Sequence, residues 1–134
     1  MRRCGLIFLL LLIVIVFLPN VSSSNENDLL RALLKVKYSG DNSATLNEHF
    51  KYLVDAEVEY DLIKSVKTTN HDFINKANEC ISYYKLGRDI FQQGASMSKS
   101  GQHTPNTDIS KATSALQAKQ SGNACVEQLL QMPR

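Results

Sequence analysis

The sequence predicts an all-α fold, an antiparallel helical bundle built on a disulfide-bridged helical hairpin. Three observations lead to that reading. After residue 24, apolar residues recur at spacings of three and four, the period of a helix with one buried face. No stretch alternates apolar and polar residues over a strand's length between turn signals. Cys80 and Cys125 fall where two neighbouring antiparallel helices bring them to one level. The chain of 134 residues is one domain's worth.

The first two dozen residues stand apart from that domain. Arg2 and Arg3 make a basic start, and Leu6 to Leu18 is an unbroken run of 13 apolar residues. Pro19 and Asn20 end the run, and Val21-Ser22-Ser23-Ser24 supplies small residues. Basic, apolar, then small is the layout of a cleaved secretory signal. A membrane span needs about 20 apolar residues, which this run does not reach. The reading is therefore a signal peptide over 1–24 and a domain over 25–134, secreted and free of the membrane after cleavage. Asn20-Val21-Ser22 fits a glycosylation sequon, which cleavage would remove.

Within the domain, Leu29, Leu30, Leu33, Leu34 and Val36 follow a helical rhythm behind Asn27 and Asp28 as capping residues, and Gly40 stops this short helix. Thr45-Leu46-Asn47-Glu48 has the form of a capping box. It opens a helix expected over 44–68, with Leu46, Phe50, Leu53, Val54, Val58, Leu62 and Val66 as its apolar stripe. A third helix, expected over 71–98, carries Ile74, Ala77, Ile81, Tyr84 and Phe91. Gly87 and Gly94 within it mark close packing or a bend. Residues 98–106 read as a loop. Thr107 or Asp108 then caps a last helix over 107–130 with Ile109, Ala112, Ala115, Leu116, Val126 and Leu129. Ala112, Ala115, Ala118 and Gly122 form a small-residue stripe that lets a neighbouring helix approach closely.

Cys4 leaves with the signal, so Cys80 and Cys125 remain as an even pair in an oxidising compartment. One disulfide is the default there, and a catalytic thiol is the competing reading. Neither Cys has a His near it in sequence. Closing the intervening loop stabilises by about 4 kcal/mol in the chain-entropy description. The bridge would staple the third and fourth helices at the end away from their loop.

Composition excludes several functions. Lys and Arg number 15 against 13 Asp and Glu, and two of the 15 are Arg2 and Arg3, so the domain itself is neutral. Nucleic-acid binding demands a basic surface, and none is expected here. His49, His71 and His103 each sit among polar neighbours and none pairs with another His or Cys at helical spacing. They read as surface residues, with no metal and no cofactor expected. Asp55, Glu57, Glu59 and Asp61 alternate along one helix and so spread around it. Paired carboxylates for hydrolysis must instead be held across a cleft. Tyr84 reads as core and Tyr83 as its edge.

From Cys80 onward the sequence resembles a known family. Asn78-Glu79-Cys80-Ile81-Ser82-Tyr83-Tyr84-Lys85-Leu86-Gly87-Arg88-Asp89 is similar to a stretch of the plant invertase and pectin methylesterase inhibitors. That family carries a Cys followed four residues on by Tyr and seven on by a small residue, here Tyr84 and Gly87. It then has a Ser-Ala-rich helix leading into another Cys. Thr113-Ser114-Ala115-Leu116 and Cys125 look similar, with Ser-Ala-Leu nearly one turn early. Leu46 to Lys67 is similar to the family's first long helix, and the resemblance spans about residues 29–130.

The chain also departs from the family. Ser24-Asn25-Glu26-Asn27-Asp28 stands where the family has a cysteine-closed hairpin. The family's Pro-Lys-Phe motif of invertase inhibitors is absent from Gln102-His103-Thr104-Pro105-Asn106. The family's helix after the last Cys has no counterpart in the nine residues that follow Cys125.

The resemblance implies a non-catalytic secreted inhibitor that docks over the cleft of a cell-wall carbohydrate-active enzyme, pectin methylesterase ahead of invertase. It implies a four-helix bundle whose fourth helix is missing here. The contact surface is expected on the bridged helix pair, with Lys85, Arg88, Asp89, Gln92 and Gln93 as candidate partner-binding residues. The alternative is a secreted signalling or structural helical protein that kept the scaffold and lost its target. The vacant place in the bundle leads to an either-or expectation: the leucine segment at 29–36 folds back into it, or the chain self-associates.

Overall fold

The computed structural model describes residues 25–39, 45–66, 70–99 and 105–133. The expected signal peptide over 1–24 lies outside them, as does His103. Four helices make up the described chain: α1 (Glu26–Ser39), α2 (Leu46–Lys64), α3 (His71–Lys99) and α4 (Pro105–Leu130).

The helix ends follow from side chains that satisfy otherwise unpaired backbone N–H groups. The cap of α1 is Asn25, earlier than Asn27 or Asp28. Its Oδ1 accepts from the backbone N–H of Asn27 at 2.9 Å and of Asp28 at 3.1 Å. The expected capping box of α2 is present. Thr45 Oγ1 accepts from the Glu48 N–H at 3.3 Å, and Glu48 Oε2 accepts from the Thr45 N–H at 2.7 Å. That helix ends at Lys64, short of the expected 68, where the Ser65 hydroxyl donates back to the Leu62 carbonyl at 2.6 Å. Asn70 caps α3 by accepting from Asp72 at 3.1 Å and Phe73 at 3.3 Å. The expected 98–106 loop is shorter than its composition suggested, because α3 runs to Lys99 and α4 starts at Pro105. Pro suits a first helical position, where no intrahelical N–H bond is lost.

The helices pair as two hairpins, α1 with α2 and α3 with α4, packed against one another. On the second pair, contacts descend α4 as they climb α3. Cys80 is bonded to Cys125 with Cα atoms 5.3 Å apart. Tyr84 lies against Gly122, Gly87 against Ala115 and Ala118, and Gly94 against Lys111. That order is antiparallel, and the bridge holds the end away from the connecting loop, as expected. Of the expected small-residue stripe, Ala115, Ala118 and Gly122 meet α3, while Ala112 is exposed. A Cβ on Gly87 would lie 3.3 Å from the Ala115 carbonyl oxygen, so the two backbones are close.

The expected vacancy in the bundle does not exist, because α1 fills it. Leu29, Leu33 and Val36 are fully buried, and Leu30 and Ala32 nearly so. Of the two outcomes expected for the leucine segment, the structure shows folding back. Lys37 at the far end of α1 pairs with Glu127 of α4, and Glu26 at its start accepts from the Asn70 N–H at 3.1 Å. Around these lies one core: Leu53, Ala56 and Ile63 of α2, Phe73, Ala77 and Tyr84 of α3, and Val126 and Leu129 of α4.

The apolar stripe read on α2 is a correction. Leu46, Val54, Val58 and Leu62 are each more than 40% exposed. Leu53 of the expected stripe is buried, and the buried line passes from it through Ala56 and Ile63, with Tyr52 and Tyr60 packed against the core. A small residue and two tyrosines disguise that line in sequence. Ile109 and Leu116 of α4 are likewise exposed, against expectation. Buried positions end at Tyr84 on α3 and begin at Ala118 on α4. Beyond them α3 still runs beside the first half of α2, where Arg88 reaches Glu57 and Phe50 meets Phe91 edge-on at 6.2 Å.

Gly122 gives a sharp test of the hairpin contact. A Cβ there would sit 2.8–3.0 Å from three Tyr84 ring atoms. That ring is buried, and its hydroxyl is anchored on Asn123 at 2.8 Å, so it has nowhere to move. Overpacking of this kind costs about 1–3 kcal/mol, against a helix-propensity gain of about 1 kcal/mol. Gly122→Ala is therefore expected to lower the urea midpoint. Among the described residues, a Cβ at Gly94 would meet only the flexible Lys111 chain, at 3.8 Å, so Gly94→Ala is expected to raise it. The reverse order of midpoints would refute the close α3–α4 contact.

Candidate functional site

The candidate surface is on the middle turns of α3. Lys85, Asp89, Gln92, Gln93 and Ser96 recur at helical spacing along one exposed side. They lie together because steps of three and four residues return to the same side of a helix. Gln92 and Gln93 are exposed and line a shallow depression with Asp89 and Ser96.

Arg88 is different from the others. Its side chain is only 20% exposed, and Nη1 reaches Glu57 Oε1 of α2 at 3.3 Å while Nε reaches Asp89 Oδ1 at 3.4 Å. Lys85 Nζ lies 3.7 Å from the same Glu57 oxygen. Glu57 thus gathers two cations from α3 on the seam between the helices. Exposed or half-exposed pairs of this kind contribute about 0–1 kcal/mol each, so their main effect is to fix how α2 sits on α3. Of the five expected contact residues, Lys85, Asp89, Gln92 and Gln93 are exposed, Lys85 while also pairing with Glu57, and Arg88 is turned toward Glu57. The seam beside them opens into a cleft of about 380 Å³ lined by Tyr60, Asp61, Asn78, Ser82 and Leu86 among others.

In the sequence Glu57 is one of four acidic residues that spread around a helix. Its role becomes visible only once α2 and α3 are laid side by side. The rest of that run spreads around α2 as expected. Asp55 and Glu59 line a second groove of about 540 Å³ with Asp28, Arg31 and Lys35 of α1, floored by Val58 and Leu62. The signal for this groove in the sequence is Val58 and Leu62 at i and i+4, which by period read as core.

His49 is the second correction. It is half-buried, with Nδ1 2.6 Å from the Ser39 hydroxyl and its ring edge-on to Tyr84 at 6.2 Å. Burial holds its pKa below the ordinary 6.5, the Lys119 charge pushes the same way, and the Val36 carbonyl opposes them. A hydroxyl beside an imidazole invites comparison with a nucleophile and its base. Ser39 is 5% exposed and donates to the Val36 carbonyl at 2.7 Å, so its oxygen offers no open approach to a reacting atom. His71 is exposed at the start of α3. Among the described residues no group of three or more His, Cys, Asp or Glu is placed to hold a metal ion, and no helix is long and apolar enough to cross a membrane.

In comparisons with known proteins, no family model, no curated protein and no solved structure matches this chain.

Proposed function

We propose that the protein is a secreted, non-catalytic inhibitor that docks on a cell-wall carbohydrate-active enzyme, pectin methylesterase ahead of invertase. The observation that carries this reading is the α3–α4 hairpin. It is stapled by Cys80–Cys125 and displays Asp89, Gln92 and Gln93 to solvent. Restrained polar surfaces lose little freedom on docking, which favours binding. The residues behind the sequence resemblance also have a physical role in this hairpin. Tyr84 packs on Gly122 and Gly87 on Ala115 and Ala118, so the motif positions are those that join the two helices.

The alternative is a secreted signalling or structural protein that has lost inhibitory activity. It is favoured by the engagement of Lys85 and Arg88 with Glu57, which occupies two of the five candidate side chains and turns Arg88 inward.

Titration of a plant pectin methylesterase with the oxidised protein separates the two. Inhibition is expected at micromolar protein. Gln92→Lys combined with Gln93→Lys is expected to weaken it about tenfold, which is ~1.4 kcal/mol. The domain is neutral, so salt should change affinity little, since long-range steering is weak. Full enzyme activity at micromolar protein would leave the alternative standing.

A further inference from the structure

The two hairpins are restrained unequally. Helices α3 and α4 are joined by a covalent bond. Among the described residues, α1 and α2 are held to them by packing and side-chain contacts alone. His49, in the first turn of α2, stands on the seam.

Each helix supplies one member of the contact chain through His49. Its Nδ1 lies 2.6 Å from Ser39 Oγ at the end of α1. Its ring meets the Tyr84 ring of α3 at 6.2 Å and 74°. The Tyr84 hydroxyl donates to Asn123 Oδ1 of α4 at 2.8 Å. The single Ser39 proton goes to the Val36 carbonyl at 2.7 Å, so Ser39 Oγ accepts from the imidazole. The neutral ring therefore carries its proton on Nδ1 and takes up a second on Nε2.

We propose that His49 is an acid-operated latch, whose protonation frees the closed end of the α1–α2 hairpin from the stapled α3–α4 hairpin. The groups placed against the ring decide the direction. Helix α1 offers the Ser39 hydroxyl and the Val36 carbonyl, α3 the Tyr84 phenol, and α4 the Lys119 ammonium. On α2 the neighbour is the Phe50 ring, while Glu48 is turned to the Thr45 cap. None of these is a carboxylate aimed at the ring, and the charged one is a cation. A proton on Nε2 thus puts a second positive charge into a half-buried seam, where the Val36 carbonyl offsets only part of the cost of burial and of the Lys119 charge.

The sign follows from linkage. Folding holds the imidazole pKa below its unfolded 6.5. The stability is therefore complete above that value and falls as pH drops from there to the folded pKa. Within that window the open population rises by up to about tenfold per pH unit. Opening is confined to the end near His49, because Leu29 and Leu33 remain buried further along α1.

Amide exchange of the oxidised protein at about pH 7.5 and about pH 5, corrected for intrinsic rates, tests the latch across the imidazole range. Protection at 36–39 and 46–53 is expected to fall in acid while the segments holding Cys80 and Cys125 keep theirs. His49→Gln, which keeps a donor for Ser39 but does not titrate, should abolish that difference. Equal loss in both proteins, or loss spread evenly over four helices, overturns the proposal. If His49→Gln does not fold, imidazole titration by NMR in the unaltered protein decides. The latch requires His49 to titrate below the ordinary imidazole value of about 6.5, and titration at or above that value refutes it.

Discussion

Leu33→Asp is expected to unfold the protein at room temperature. Leu33 is fully buried in the middle of α1, between Leu29 and Val36, which are equally buried. Removing the leucine forfeits about 1.5–3 kcal/mol of apolar burial. The aspartate adds the penalty of an unpaired carboxylate in the core. Losses above about 4 kcal/mol arise from such a combination, and the whole stability of a small domain is about 5–15 kcal/mol. The neighbouring Leu34 is only partly buried, so Leu34→Asp should cost distinctly less. Far-ultraviolet dichroism against urea for both variants is the measurement. Equal midpoints would mean that α1 is a loosely attached tail and that the bundle stands on three helices.

The contrast between these two leucines also shows what the sequence conveys. Helix number, period and caps are local properties. Thr45 and Glu48 meet each other three residues apart wherever the rest of the chain goes, so their capping box was legible. The Cys80–Cys125 bridge was legible for a similar reason, since two cysteines allow one pairing. The buried side of α2 is a different kind of fact. Leu46, Val54, Val58 and Leu62 form a regular stripe, and the helix nevertheless turns Leu53, Ala56 and Ile63 inward. Two packed neighbours, α1 and α3, set that rotation, and neither is visible in the periodicity of α2 itself. The packing role of α1 was hidden for a related reason. The sequence shows an apolar segment of helical period but not the place it fills.

The candidate site divides along the same line. That Gln92 and Gln93 lie on an exposed helix side follows from spacing alone. That Arg88 turns from its neighbours to Glu57 depends on where α2 crosses α3. His49 was misread because its neighbours in sequence are polar, whereas its surroundings in space come from Ser39, Tyr84 and Lys119 on three other helices. Polar context along a chain predicts exposure only when no other element crosses at that level.

Replacing both bridge cysteines should have the second large effect. Cys80→Ala with Cys125→Ala removes a bond between two buried positions and leaves no free thiol to dimerise. The expected loss is about 2–5 kcal/mol, the usual range for small secreted domains. That corresponds to a fall of roughly 10–20 °C in Tm for a domain of this size. Most of the effect should arise in the unfolded chain, which gains freedom when the loop is no longer closed. The native hairpin keeps Tyr84 on Gly122 and Gly87 on Ala115, so the folded fraction should retain its helical dichroism. The variant also separates stability from docking. If the stapled hairpin is the binding element, inhibition should weaken even well below the variant's Tm, because an unstapled surface loses more freedom on docking. A stability change under about 1 kcal/mol would show that packing alone holds α3 to α4.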